Sequence, residues 1–178
     1  MTDLPIDRAA VADLLEATVT TVAAELRALG PAAGWRPAVG EWSALECAGH
    51  LIEADQRGFG GRIRTILAAD PRSPPRLQAW DPPAVAATRA DHLQPAEALI
   101  AELAALRADG VALVRSLRDE DLPRAGVHPE VGELRVDELL GEWVHHDRNH
   151  IRQLLAVTQD RVWGQMGNAQ QFSIQEID

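Results

Sequence analysis

Glu142-Trp143-Val144-His145-His146-Asp147-Arg148-Asn149-His150-Ile151-Arg152-Gln153-Leu154-Leu155 reads as one helix with a sorted face. Each helical residue turns about 100°. With His146 taken as the origin, Leu139, Trp143, His150, Leu154 and Val157 fall within about 80° of it. Val136, Leu140, Ile151 and Leu155 widen the apolar arc on one side. This periodicity predicts a helix from about Arg135 to Thr158. His146 and His150, one turn apart, sit together at the edge of the buried face. Two imidazoles so placed can grip one metal ion. His145 projects roughly 100° away, among Glu138, Asn149 and Arg152, and is expected in solvent. Asp147, Arg148 and Asn149 are expected to the sides of the pair or away from it, in structural roles.

The same helical period recurs through most of the chain. Asp7 can cap a first helix to about Leu29, with a stripe of Val11, Leu15, Val19, Val22, Leu26 and Leu29; Gly30-Pro31 stops it. Ser43 and Glu46 form a capping-box pattern for a second helix reaching about Ala69. Its apolar face is Leu45, Ile52, Phe59, Ile63 and Ile66. Gly58, Gly60 and Gly61 are costly inside a helix and imply a close helix approach or a local irregularity. Residues 70–83, with five prolines, form a long crossover, and a short helix is expected over 83–92. Pro95 opens a third long helix with a stripe of Leu99, Leu103, Leu106, Leu113 and Leu117, ending near Arg118. Residues 123–134 read as loop. The expectation is an all-α, single-domain four-helix bundle with a long crossover between helices 2 and 3. Its core spans about 7–158. The tail, 159–178, has weak periodicity, and its Trp163, Met166 and Phe172 could pack on the bundle or on a second subunit.

Composition narrows the classes of function. Hydrophobic residues make up 46% of the 178-residue chain, enough for a core. No apolar run approaches the roughly 20 residues of a membrane span. The segment Met1–Pro5 lacks the basic head and apolar core of a secretory signal, so a cytoplasmic location is expected. The net charge is −10, and all 17 basic residues are arginine without a basic cluster. That balance argues against nucleic-acid binding. Cys47 is the single cysteine; it reads as a small buried helix residue.

A catalytic zinc site has three protein ligands and an open position, so a third ligand must join the pair. His50, His92, His128, Cys47 and several carboxylates are the candidates. His50 lies on a line of small residues, Cys47, Ala54, Gly61 and Thr65, which leaves room beside its imidazole.

Two segments carry a family resemblance. Trp42-Ser43-Ala44-Leu45-Glu46-Cys47-Ala48-Gly49-His50-Leu51 resembles the opening of the second helix in the DinB/YfiT-like superfamily. His146-Asp147-Arg148-Asn149-His150-Ile151-Arg152-Gln153-Leu154 resembles that family's H-x-x-x-H-x-x-Q-L/I segment. The resemblance covers about residues 7–158. It implies a four-helix bundle, often a homodimer, with a metal site made by one histidine of the second helix and two of the last. By position these are His50, His146 and His150. It also implies zinc or nickel as the ion. Family activities include thiol-dependent transfer with mycothiol or bacillithiol, and a mycothiol-dependent maleylpyruvate isomerase.

The leading expectation is therefore a metal-dependent S-transferase that joins a low-molecular-weight thiol of the mycothiol type to a small electrophile. A metal can hold a thiol as the nucleophilic thiolate. The first alternative is a hydrolase using metal-bound water, whose pKa falls towards about 7. The second is a non-catalytic bundle that binds a ligand or partner. Glu142, Glu46 and Glu53 lie near the histidines and could orient an imidazole or take a proton. Arg57, Arg62 and Arg64 could receive an anionic substrate. Among Trp35, Trp42, Trp80, Trp143 and Trp163, Trp143 is the expected pocket residue.

Overall fold

The computed structural model describes residues 7–174. Its elements run α1 (Arg8–Leu29), α2 (Ala44–Glu53), a π-helical segment (Ala54–Phe59), α3 (Gly60–Ala68), α4 (Pro82–Arg89), α5 (Ala96–Ser116), β1 (Ala125–His128), β2 (Gly132–Arg135), α6 (Val136–Trp163) and α7 (Gln170–Ile174). The α2, π and α3 segments follow one another without a break. Together with α1, α5 and α6 they form a four-helix bundle. The crossover from α3 to α5 carries the short helix α4.

The caps act as the sequence suggests. Asp7 accepts hydrogen bonds from the Ala9 and Ala10 amides and starts α1. Gly30, at φ 52°, ends it. At the start of α2, Ser43 and Glu46 bond reciprocally to each other's amides. Pro95 sits one residue outside α5 as its N-cap. The glycines of the second helix mark a π bulge. A Cβ on Gly61 would lie 1.9 Å from the Gln56 carbonyl oxygen, so only glycine fits where the bulge displaces that carbonyl. The bulge resets the helical phase, and Ile52, Phe59, Ile63 and Ile66 all become buried.

The core is two apolar clusters. One gathers Leu15, Phe59, Ile63, Ile66, Leu139 and Trp143. The other gathers Leu26, Leu51, Ile52, Leu99, Leu103 and Leu154. Between them lies a buried polar layer with one residue from each long helix: Thr18, Asp55, Arg107 and Asp147. Arg107 Nε donates to Asp55 Oδ2 (2.9 Å), and its terminal nitrogens donate to both Asp147 oxygens (2.5 and 3.3 Å). Thr18 Oγ1 donates to Asp147 Oδ2 (2.7 Å), and Trp143 Nε1 to Asp55 Oδ1 (2.8 Å). Burial pushes Asp55 up to about 7; Arg107 pulls it down and Asp147 pushes it further up. The layer satisfies its buried charge by hydrogen bonds, as such groups require. It also fixes the rotation of all four helices about their axes.

Three expectations need correction, and two are sharpened. Asp147, expected in a structural role beside the pair, is 1% exposed, because Arg107 draws it into the layer. The buried stripe of α5 is Leu99, Ile100, Leu103, Arg107, Gly110, Val111 and Val114, so Leu106 and Leu113 lie at its margin. Residues 125–135 form an antiparallel hairpin rather than loop, pairing Ala125 with Arg135 and His128 with Gly132. Its strands are four residues each, too short to show a period of two. The crossover backbone secures them, with the Leu77 amide donating to the Val127 carbonyl and the Val127 amide to the Pro75 carbonyl. The fourth long helix runs five residues further, to Trp163. Trp163 and Phe172, 41% and 75% exposed, leave apolar surface open on the tail.

Candidate metal centre

The capping box and the polar layer between them decide where His50 meets α6. The first sets the start of α2. The second holds Asp55, five residues after His50, and Asp147, next to His146, on opposite sides of Arg107. As a result His50, His146 and His150 converge, each offering one ring nitrogen within 4.8 Å of the other two. The Nε2 atoms of His50 and His146 are 3.0 Å apart. Ring centroids of His150 lie 4.4 Å from both His50 and His146. His145 is exposed and outside the cluster, as its helical phase predicts.

The donor set suits a divalent ion. Burial pushes His50 down to about 3, with His150 and His146 adding to the effect and Glu53 opposing it. Burial likewise takes His146 to about 3, helped by His150, Arg107 and His145. His150 is lowered by burial against the pull of Gln153. All three are therefore neutral near pH 7, with lone pairs to offer. His150 Nδ1 lies 3.0 Å from Gln153 Oε1. If Nδ1–H donates there, Nε2 is left as the free acceptor, the arrangement that orients metal-ligating imidazoles. His146 Nδ1 is buried without a partner, so Nε2 is the nitrogen it presents to His50.

Aromatic rings wall the cluster. Trp42 stacks on His150 (5.9 Å) and lies against His50 (4.9 Å). Trp80 stacks on His50 (5.7 Å), and Phe59 meets His146 edge-on (5.2 Å). Trp143, the expected pocket residue, is fully buried instead. It stacks on Phe59 and is tied to Asp55, which makes it core. Trp42 and Trp80 take the role assigned to it.

The other candidates separate cleanly. Cys47 is 1% exposed, and burial, with Glu46 nearby, pushes its thiol up to about 12. It stays a protonated packing residue. His92 lies 3.7 Å from Glu46, and His128 faces Arg62; neither joins the cluster. Burial would raise Glu46, but its bonds to Arg36 and Ser43 outweigh that and hold it at about 2. Glu53 is likewise held low, burial notwithstanding, by Arg57 and Arg89. Both are structural anions. Glu142 is exposed, makes no ion pair among the described residues, and lines a cavity of about 640 Å³ beside Phe59 and Trp80. Sequence reasoning missed Arg107. Its signal was a charge four residues after Leu103 and four before Val111, on the buried stripe.

Residues 31–154 match the family described as the DinB superfamily. The chain belongs to the DinB superfamily. Proteins named "Putative metal-dependent hydrolase" from Bacillus cereus (strain 03BB102) and Bacillus thuringiensis subsp. konkukian (strain 97-27) are each 25% identical to it over 129 residues. That alignment spans 70% of this chain and 69% of theirs. Among solved structures it is similar to YfiT from Bacillus subtilis, described as "a probable metal-dependent hydrolase with an unusual four-helix bundle topology". The TM-score is 0.78 at 18% identity, over 89% of this chain and 91% of that one. The likeness to YfiT supports the four-helix fold. The DinB match covers both the α2 histidine and the α6 pair. No helix among the described residues is long and apolar enough to cross a membrane.

Proposed function

We propose that this DinB-superfamily protein is a metal-dependent hydrolase whose ion is held by His50, His146 and His150. One observation carries the reading: three neutral imidazoles from two helices converge within 4.8 Å, walled by aromatic rings. When bound there, a divalent ion with open positions would acidify water and polarise a carbonyl or phosphoryl oxygen. Gln153 fixes the ring of His150. Trp42, Trp80 and Phe59 limit water around the cluster and offer flat apolar surface to a substrate. Glu142, one turn before His146 on α6 and without an ion pair among the described residues, is the group we assign to proton transfer. Zinc or nickel as the ion, a small-molecule substrate, a homodimer and a cytoplasmic location complete the reading; the ion and the dimer rest on the sequence resemblance.

Thiol transfer, the leading expectation from sequence, would use the same three histidines. Its support is the resemblance alone, whereas the names of the similar Bacillus proteins favour hydrolysis. A panel of nitrophenyl esters, phosphoesters and anilides, run beside chlorodinitrobenzene with and without added thiol, separates the two. The proposal expects metal-dependent cleavage that thiol does not change and that Glu142→Gln slows. Conjugation of thiol without cleavage would replace it with the transferase reading.

A further inference from the structure

Arg62 is set apart from the arginines around the metal cluster. Arg36, Arg57, Arg89 and Arg107 each pair with a carboxylate. Arg62 is half-buried and makes no ion pair among the described residues. Its Nε is buried without a hydrogen-bond partner. A terminal nitrogen reaches the Gln78 carbonyl at 3.3 Å and faces His128 Nε2 at 3.0 Å. On its other side, His128 Nδ1 faces the Glu130 amide at 3.3 Å. A neutral imidazole accepts at only one of its two nitrogens. Donors therefore outnumber acceptors at this point, and a guanidinium is held in part out of water with no carboxylate bonded to it; Glu130, in the larger cavity, acts on it only through space. Such an arrangement costs stability unless an anion completes it.

The surroundings say where that anion would sit. Arg62 lies between two cavities. The smaller, about 400 Å³, is lined by Arg57, Arg62 and Arg76 with Gln56, Thr65 and Gln78, and by no carboxylate. This is a cationic hollow in a chain of net charge −10. The larger cavity carries Glu130, Glu133, Glu138 and Glu142 on its rim, which disfavours an anion there. Trp80 lines both and stacks on His50; Phe59 lines the larger and abuts His146.

We propose that Arg62 is a specificity-determining residue that anchors an oxyanion of the substrate, a carboxylate or phosphate, in the arginine-lined hollow while the scissile bond reaches past Trp80 to the histidines. The reactive half of this statement rests on the hydrolase reading; the anion site does not. The guanidinium fork suits either oxyanion.

The test compares wild type with Arg62→Gln, Arg62→Lys and Arg64→Gln. Arg64, the other candidate anion receiver on the same helix, lines neither cavity, and among the described residues it bonds only the Asp109 carbonyl. Succinate and inorganic phosphate are titrated calorimetrically into each protein as purified, with metal content and melting temperature matched. Any binding to the metal is common to all four, so the difference isolates Arg62. Losing a charge-assisted hydrogen-bond pair should weaken binding on the order of tenfold or more in Arg62→Gln. Arg62→Lys should be intermediate and Arg64→Gln unchanged. The preferred anion tells carboxylate from phosphate. In parallel, nitrophenyl acetate is compared with the mono-nitrophenyl ester of succinate. The anionic ester should lose kcat/KM in Arg62→Gln while the neutral ester does not. Anion binding that depends on Arg62 without any hydrolysis would uphold the anion site and sink the hydrolase reading. Equal binding in Arg62→Gln and wild type, or no saturable binding of either anion, would overturn the proposal.

Discussion

The Nε2 atoms of His50 and His146 lie 3.0 Å apart, although 96 residues separate the two in the chain. Two imidazole nitrogens bound to one zinc at about 2.0–2.1 Å would be about 3.0–3.4 Å from each other at ordinary coordination angles. The pair is therefore already near the spacing that a shared ion imposes. The cause lies one layer deeper. Asp55 and Asp147, close in sequence to the two histidines, are drawn to the same guanidinium on α5.

Removing one member of that layer should be severe. Asp147→Ala leaves Arg107 half-compensated and leaves the Thr18 hydroxyl only the Leu14 carbonyl, 3.2 Å away, to donate to. A broken buried ion pair costs about 3–5 kcal/mol. Urea unfolding should show that loss, and the variant should also lose metal, since the α6 register slackens. A cost under about 1 kcal/mol, the range of surface pairs, would mean the layer does not organise the bundle.

Gly110 allows Trp143 its place. A Cβ there would lie 2.7 Å from the indole ring edge. Gly110→Ala gains about 1 kcal/mol of helix propensity, but overpacking costs about 1–3 kcal/mol. The indole is held from behind by Phe59 and Asp55 and cannot retreat. The variant is expected to melt at lower temperature, with reduced tryptophan burial by fluorescence. A rise in melting temperature would contradict this packing.

Acid stability should report Glu46. Its folded pKa, about 2, lies below the ordinary 4.5 because its bonds to Arg36 and Ser43 overcome burial. A depressed carboxylate contributes stability above its unfolded pKa and loses it as pH falls through the folded one. Between about pH 5 and 2 the unfolded chain takes up the proton first, so stability drops across that window. Glu46→Gln should be less stable at neutral pH and show a flatter acid limb. An unchanged slope would remove Glu46 from the account.

The legible part of this chain was what local pattern encodes. Asp7, Ser43 and Glu46 announce caps through their own side chains, and the α6 stripe separates His145 from His146 and His150 by phase alone. The glycines at 58, 60 and 61 signalled an irregular helix, and a π bulge is there. What stayed hidden depends on distant partners. The partner that gives Asp147 its structural role, Arg107, lies 40 positions earlier. Trp143 shares the histidines' side of α6 yet is pulled into the core by Asp55. Trp42 and Trp80 reach the cluster from loops, where no period predicts direction.

The most direct test of the central claim is elemental analysis of protein purified without a histidine tag. The account predicts about one divalent ion per chain, as a three-histidine site requires. That ion should be lost in His50→Ala, His146→Ala and His150→Ala and kept in His145→Ala. Metal that persists when all three ligands are replaced, or that is lost equally in His145→Ala, would contradict it.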